Sequence, residues 1–295
     1  MTLFLRHIAL AGIACSAVAA VAQTNTLKVG AYTSPVKTFS TASYWLEGND
    51  GLLMIDTQFL PKEGVQAVEQ AERESGKKVK TAIVLHPNPD KFNGTEVFQK
   101  RGIQVLTSDA VLAAIPAVHV IRTGWFAEEY KPDYPANAAK PTPLGNATLT
   151  QTLAGVPVTL HALGPGCSAA HVVVQVGDAV FVGDLINPEN HAWLELGVID
   201  AWLDRLEEIR KMKPTRVFPG RGKPGGVELI ESQATYLRFV QKTVRDAQPT
   251  GAPSMFRKLL LQRTIESAYP KLGYALFMRD GLERVWEIEA RKAIK

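Results

Sequence analysis

A mixed α/β fold with a helical tail is predicted by three observations. Short apolar or alternating runs that read as strands recur between residues 27 and 218, helical patterns are interleaved with them, and from residue 226 onward only helical patterns remain. The strand-like runs fall near residues 27 to 32, 43 to 47, 51 to 56, 79 to 85, 103 to 107, 147 to 153, 156 to 163, 171 to 176, 179 to 183 and 215 to 218. Helical spacing occupies 62 to 76, 93 to 101, 108 to 115, 200 to 212, 226 to 246, 253 to 268 and 280 to 293. Composition and order alone allow α/β or α+β. Between the two kinds of element, residues 116 to 146 are rich in Pro, Ala and Asn and read as a long irregular stretch carrying Trp125, Phe126, Tyr130 and Tyr134. Such a stretch is commonly a flap or insertion, and its aromatic residues serve either as an apolar wall over a site or as pins to the core.

The ends of the chain divide it further. Arg6 is the one Lys, Arg, Asp or Glu before residue 23, residues 8 to 22 are apolar or small, and Ala20-Val21-Ala22 precedes Gln23, the pattern of a cleaved export signal over residues 1 to 22. A periplasmic or secreted product is expected. No later segment has about 18 uninterrupted apolar residues, so no stable membrane insertion is expected after cleavage. Residues 23 to 225 then form the main domain, and 226 to 295 a helical extension packed on or beside it. Leu259, Leu260, Leu261, Ile265, Tyr269, Leu272, Tyr274, Leu276 and Phe277 give that extension enough apolar surface to cover the domain or to join subunits, and both readings stay open.

Charge and cysteine usage narrow the partners. The formal net charge is +4, or +3 once Arg6 leaves, with no clustered basic patch, too little to argue for nucleic acid. Of the two cysteines, Cys15 lies in the leader, so an exported product keeps Cys167 alone and forms no internal disulfide. Cys167 follows Gly164-Pro165-Gly166 in a loop, where a thiol kept for chemistry is more expected than one kept for packing.

Chemistry concentrates at Leu85-His86-Pro87-Asn88-Pro89-Asp90-Lys91-Phe92-Asn93-Gly94, directly after the apolar strand Thr81-Ala82-Ile83-Val84-Leu85. Loops leaving the ends of such strands are where α/β proteins place their sites. The stretch resembles the His-x-His-x-Asp-His loop of the metallo-β-lactamase superfamily, with His86, Asn88, Asp90 and Lys91 at its four ligand positions. Four more segments are similar to that family in the same order. The run from Ser43 to Asp56 looks like its opening hairpin, and Gly166-Cys167-Ser168-Ala169-Ala170-His171 like Gly-His-Thr-x-Gly-His. Phe181-Val182-Gly183-Asp184 looks like the strand of the bridging aspartate, and Pro219-Gly220-Arg221-Gly222 like Pro-Gly-His-Gly.

The resemblance, over roughly residues 40 to 225, implies an αββα sandwich and a site for two zinc ions that activate water on a carbonyl. It also implies that the site is degenerate. His86 and Cys167 suit zinc and Asn88 does not, so at most one zinc is expected, held by His86, Cys167 and Asp184, with Asn88, Asp90 and His191 as weaker ligands. Lys91 and Arg221 stand where imidazoles would be and cannot coordinate a metal at neutral pH. Their two charges equal those of one zinc ion, so a cluster of Asp90, Lys91, Asp184 and Arg221 is expected to replace the second metal. His171 is expected to support structure, as are His119 and His161.

Three functions follow from this reading. The first is hydrolysis of an ester, thioester or amide with at most one metal, Asp90 and Cys167 being catalytic. The second is binding of a small molecule or partner without catalysis. The third is metal-free thiol chemistry at Cys167, whose thiolate two nearby cations would favour.

Overall fold

The computed structural model describes residues 27–293, so the expected leader over residues 1 to 22 lies outside the described residues. Eleven strands form two sheets. The first sheet runs in chain order: β1 (Val29–Thr33), β2 (Ala42–Glu47), β3 (Leu52–Ile55), β4 (Val79–Ile83), β5 (Gln104–Thr107) and β6 (Thr142–Pro143). Its first three strands are antiparallel, and from β3 to β6 neighbours are parallel. The second sheet holds β7 (Leu149–Leu153), β8 (Val156–Leu163), β9 (His171–Val176), β10 (Ala179–Gly183) and β11 (Arg216–Pro219). Its order is β11-β10-β9-β8-β7, and only β11 lies parallel to its neighbour.

Alternation along the strands of the second sheet shows how the layers stack. Val172, Val174 and Val176 of β9 and Ala179 and Phe181 of β10 join the core shared with the first sheet, where Phe181 stacks on Phe218 at 4.5 Å between ring centres and Tyr44 lies 5.5 Å from Phe181. Val173, Val180 and Val182 point the other way, into a second core with Val217. Both faces of the sheet are therefore buried, and a slip of one residue in register would exchange the two sets. Each fully buried valine is worth roughly 1.5–3 kcal/mol, so the register is strongly held.

Helices cover both outer faces. On the first sheet lie α1 (Pro61–Ser75), α3 (Thr95–Lys100) and α4 (Asp109–Phe126), with the short α2 (Pro89–Phe92) packed against α4. Pro61 opens α1 and Gly76, at φ +71°, closes it, as a first-turn proline and a left-handed terminal glycine should. Against the second sheet lie α5 (Ile199–Lys211), α6 (Glu228–Asp246), α7 (Met255–Ala268) and α8 (Ala275–Ala293), contributing Trp202, Leu206, Leu237, Ile265, Met278 and Trp286 to the second core. The tail thus packs on the sandwich. Loop contacts add to this: the His191 amide donates to the Gly273 carbonyl at 2.9 Å, and the Tyr274 hydroxyl to the Val36 carbonyl at 3.0 Å. On α7, Met255, Phe256, Leu259 and Leu260 remain exposed.

The expectation of an irregular stretch from residue 116 fails over its first third. Helix α4, capped by the Ser108 hydroxyl accepting from the Val111 amide at 3.2 Å, runs through Pro116 to Phe126. Proline removes one backbone donor there, but Val111, Ile115, His119 and Arg122 fall on one buried face at helical spacing, and that packing outweighs the lost bond. No helix among the described residues is long and apolar enough to cross a membrane.

Candidate active site

Every element of the site is a strand end or the loop that leaves one. β4 delivers His86, and the turn after it places Asn88 just before α2, which carries Asp90 and Lys91. The loop from β8 to β9 carries Cys167 and Ser168, and His171 opens β9. Asp184 follows the end of β10, and Arg221 follows β11. Because β4, β10 and β11 all end on this side, residues up to 135 positions apart in the chain meet here.

Asp90, Lys91, Asp184 and Arg221 form a closed ring of ion pairs. The Lys91 ammonium lies 2.9 Å from Asp90 Oδ2 and 3.0 Å from Asp184 Oδ1. Arg221 reaches Asp90 Oδ2 through Nη2 at 2.6 Å and Asp184 Oδ2 through Nη1. All four side chains are at most 6% exposed. Arg221 also donates through Nε to the Phe39 carbonyl at 2.9 Å, and the Thr41 hydroxyl donates to Asp90 Oδ2 at 3.1 Å. Phe39 adopts φ +73°, a left-handed conformation uncommon for a bulky residue, in the loop that presents this carbonyl. Gly220 is required beside the ring, since a Cβ there would collide with the Asp184 carboxylate and the Lys91 ammonium.

The ring's electrostatics follow from burial and pairing. Burial alone would raise both carboxyls, but Arg221 and Lys91 outweigh it, holding Asp90 below its ordinary value and Asp184 well below it. Burial acts to lower Lys91 and Arg221, and the two aspartates more than offset it, leaving both above their ordinary values. Behind the ring, Asp56 accepts from the Leu85 amide at 2.9 Å. Its burial, only partly offset by Lys91, pushes its carboxyl up to about 8.

Beside the ring lies a softer group. The metal-binding atoms of His86, Cys167 and His171 all fall within 4.8 Å of one another. His86 Nε2 accepts from the Asp184 amide at 3.3 Å and its Nδ1 meets the Ser168 hydroxyl at 3.2 Å, while the Ser168 amide donates to His171 Nε2 at 3.2 Å. Burial pushes the Cys167 thiol well up, with Asp184 adding to it, and burial beside His86 holds the His171 imidazole well down. Both residues are therefore neutral near pH 7.

A cavity of about 40 Å³ opens over the ring. Asn88, Asp90, Asp184 and Arg221 form its floor, and Phe39, Phe59, Phe126, Trp193 and Phe277 its aromatic walls, with Arg122 among them. Phe277 of α8 stands 5.3 Å from the Arg221 guanidinium, so the tail helices roof the site.

Comparison with known proteins places this arrangement. Residues 36–221 match the metallo-β-lactamase superfamily. The chain belongs to that superfamily. Similar solved structures include a metallo-β-lactamase from Pontibacter korlensis, at 18% identity over 72% of this chain and 94% of that one with a TM-score of 0.53. FIM-1 from Pseudomonas aeruginosa, in a mono-zinc form, matches at 16% identity over 72% and 90% with a TM-score of 0.55. A metallo-β-lactamase from Erythrobacter litoralis, with β-mercaptoethanol in its active site, matches at 14% identity over 72% and 92% with a TM-score of 0.56. At these identities the likeness concerns the fold.

The superfamily usually binds zinc, and the two halves of this site differ in their fitness for it. The Asp90, Lys91, Asp184 and Arg221 half does not fit a metal, because ammonium and guanidinium groups already occupy the space between its carboxylates. The His86, Cys167 and His171 half offers two imidazoles and a thiol, a donor set suited to zinc.

Several expectations from the sequence need correction. Asp184, expected to be a metal ligand, pairs its carboxylate with Lys91 and Arg221 and lies 3.8 Å from His86 Nε2, but is not in the close group of donors; His171, expected only to support structure, is. His191 turns away from the site, since its Nδ1 meets the Tyr236 hydroxyl at 2.9 Å and its ring faces α7 and α8, where Glu266 and Arg279 lie. Asn88 lines the cavity rather than joining the imidazoles. The reactive-thiolate reading of Cys167 is opposed by a thiol that is 1% exposed and raised rather than lowered. Thr41, Arg122, Trp193 and Phe277 had no motif to mark them, although the i, i+4, i+7 spacing of Ile115, His119 and Arg122 puts Arg122 on an inward helix face.

Proposed function

We propose that this protein is a small-molecule-binding member of the superfamily, in which the ring of Asp90, Lys91, Asp184 and Arg221 stands in place of the second metal. The observation that carries this reading is that each cation touches both carboxylates. In a poorly solvated pocket two aspartates this close need two positive charges, and here side chains supply them. The ring then acts as a rigid polar floor. Arg221 and Lys91 hold their protons, Asp90 and Asp184 hold none, and no group in the ring is poised to exchange one near pH 7.

A second reading is favoured by the close group of His86, Cys167 and His171. These residues would hold one zinc ion, which when bound supplies Lewis acidity and an acidified water, the chemistry of an ester, thioester or amide hydrolase. Against a catalytic role for that group, the cavity is lined by Asn88, Asp90, Asp184 and Arg221, with none of the three donors on its wall. A metal there would serve structure more readily than a substrate. Export through residues 1 to 22 belongs to both readings on the sequence alone, and the amino-terminal residue of the secreted product, Gln23 if cleavage follows Ala22, decides it.

Elemental analysis of untagged protein, before and after zinc is supplied, separates the readings. Folded protein without bound metal supports the ring and ligand-pocket reading. One equivalent of zinc that disappears in Cys167→Ala supports the second. Two equivalents would mean that the ring opens to admit a metal, and the first reading would fail.

A further inference from the structure

Arg122 is the one cation on the cavity wall that the ring does not use. It projects from α4, is 3% exposed, and pairs through Nη2 with Glu195 Oε2, an oxygen that also accepts from Trp193 Nε1 at 2.9 Å. Its guanidinium carbon lies 4.1 Å from the Trp125 ring centre and 5.1 Å from that of Trp193, so the group packs against two indoles that themselves meet at 6.2 Å. Its Nη1 is buried and has no hydrogen-bond partner among the described residues. Leaving a charged donor buried and unmet is costly, and Arg122 is one of the residues that line this cavity, so its guanidinium has donor capacity left for an acceptor there.

The remaining polar surface narrows what that acceptor is. Arg221 spends its donors on Phe39, Asp90 and Asp184, so the ring offers a ligand little. The Asn88 carboxamide lines the cavity and makes no side-chain hydrogen bond among the described residues. A cavity of about 40 Å³ has room for about three water-sized groups, the size of a carboxylate. Around it, Phe39, Phe126 and Trp193 are partly exposed and form an apolar rim at the surface.

We propose that this cavity binds the carboxylate of a small organic acid, with the Arg122 guanidinium donating to it, Asn88 as a second polar contact, and the acid's apolar body lying against the aromatic rim. A guanidinium hydrogen bond to an anion is roughly twice as strong as one to a neutral carbonyl, so charge sets the preference for an acid over its amide. The inference rests on the reading of the cavity as a ligand pocket that works without metal.

The test is calorimetric titration of the metal-free full chain with butyrate, phenylacetate and benzoate, each against its primary amide. At least one acid is expected to bind tenfold or more tightly than its amide. Arg122→Gln, which keeps a donor and removes the charge, should reduce that acid to the level of the amide while leaving the amide unchanged, and Asn88→Ala should weaken both. The comparison of acid with amide in the unmodified protein needs no variant, so it stands even if Arg122→Gln folds poorly. Equal binding of acids and amides would overturn the carboxylate inference and leave the pocket standing. Binding of any probe only after zinc is added would overturn the metal-free pocket, and the inference with it. No binding of any probe under either condition would overturn both.

Discussion

The two halves of the site share their depth and their supporting strands but have opposite chemistry. On one side four charged groups, Asp90, Lys91, Asp184 and Arg221, cancel one another at distances near 3 Å. On the other, burial keeps the Cys167 thiol and the His171 imidazole neutral. The same absence of water has driven one half to pair its charges and the other to have few. A buried site can thus balance its charges in two ways, by pairing carboxylates with cations or by keeping groups that are neutral. The first way locks the geometry. The second leaves room for a soft metal.

Removing one member of the charged half should have the largest effect of any change here. Arg221→Ala leaves two buried carboxylates with one ammonium, and breaking a buried network in this way costs about 3–5 kcal/mol. Urea denaturation at pH 7 measures it. The cause is charge rather than lost packing if the double variant Asp184→Asn with Arg221→Ala, which leaves Asp90 and Lys91 as a neutral pair, recovers at least half of the loss. A single-variant cost under about 1 kcal/mol, the range of exposed ion pairs, would show that the ring does not hold this half together.

The charged half was also the more legible in sequence, for a physical reason. Asp184 and Arg221 follow apolar strands by one and two residues, and Asp90 and Lys91 sit on the short helix that the loop after β4 leads into, so the local pattern already fixes which strand ends they serve. The demand for neutrality then pairs them. The neutral half carries no such demand, so nothing in the order of residues chose His171 over Asn88 or Asp184 as companion to His86 and Cys167. Arg122, Trp193 and Phe277 reach the cavity from α4, the loop after β10 and α8, and only tertiary packing brings such distant segments together. Every strand but the two-residue β6, and most helices, were readable because both sheets have regular inner and outer faces. Helix α4 was cut short because Pro116 outweighed the buried face beyond it.

Asp56 sharpens the comparison, because it is a third carboxyl behind the ring and escapes the need for a cation by keeping its proton. With Asp56 neutral, the two aspartates of the ring balance Lys91 and Arg221, and the buried assembly carries no net charge. Its folded value of about 8 lies above the roughly 3.9 of an unfolded aspartate, so between those values the unfolded chain has lost the proton and the folded one has kept it. Stability contributed by this group therefore falls as pH rises through that window, by up to about 1.4 kcal/mol per unit. Burial keeps His171 and His191 neutral, and that works in the opposite sense as pH falls below about 6.5, so the clean interval is pH 6.5 to 8. Over that interval the wild type should lose about 2 kcal/mol that Asp56→Asn does not lose. Denaturation curves of the two proteins at both pH values decide this, and parallel losses would mean that Asp56 is ionised in the fold.

The smallest effect is expected in the neutral half. Cys167→Ala removes a buried sulfur and no charge, and without metal it should cost about 1 kcal/mol, the scale of one buried methylene-sized group. With its thiol raised by burial and by Asp184, Cys167 should react with a thiol reagent far more slowly in native protein than in denaturant. If zinc stabilises the wild type and not Cys167→Ala, the gap between the two proteins should widen with zinc concentration while that for Arg221→Ala stays fixed. Rapid native labelling, or a metal-free cost near that of Arg221→Ala, would mean that Cys167 is charged in the fold, and the contrast between a paired half and a neutral half would be lost.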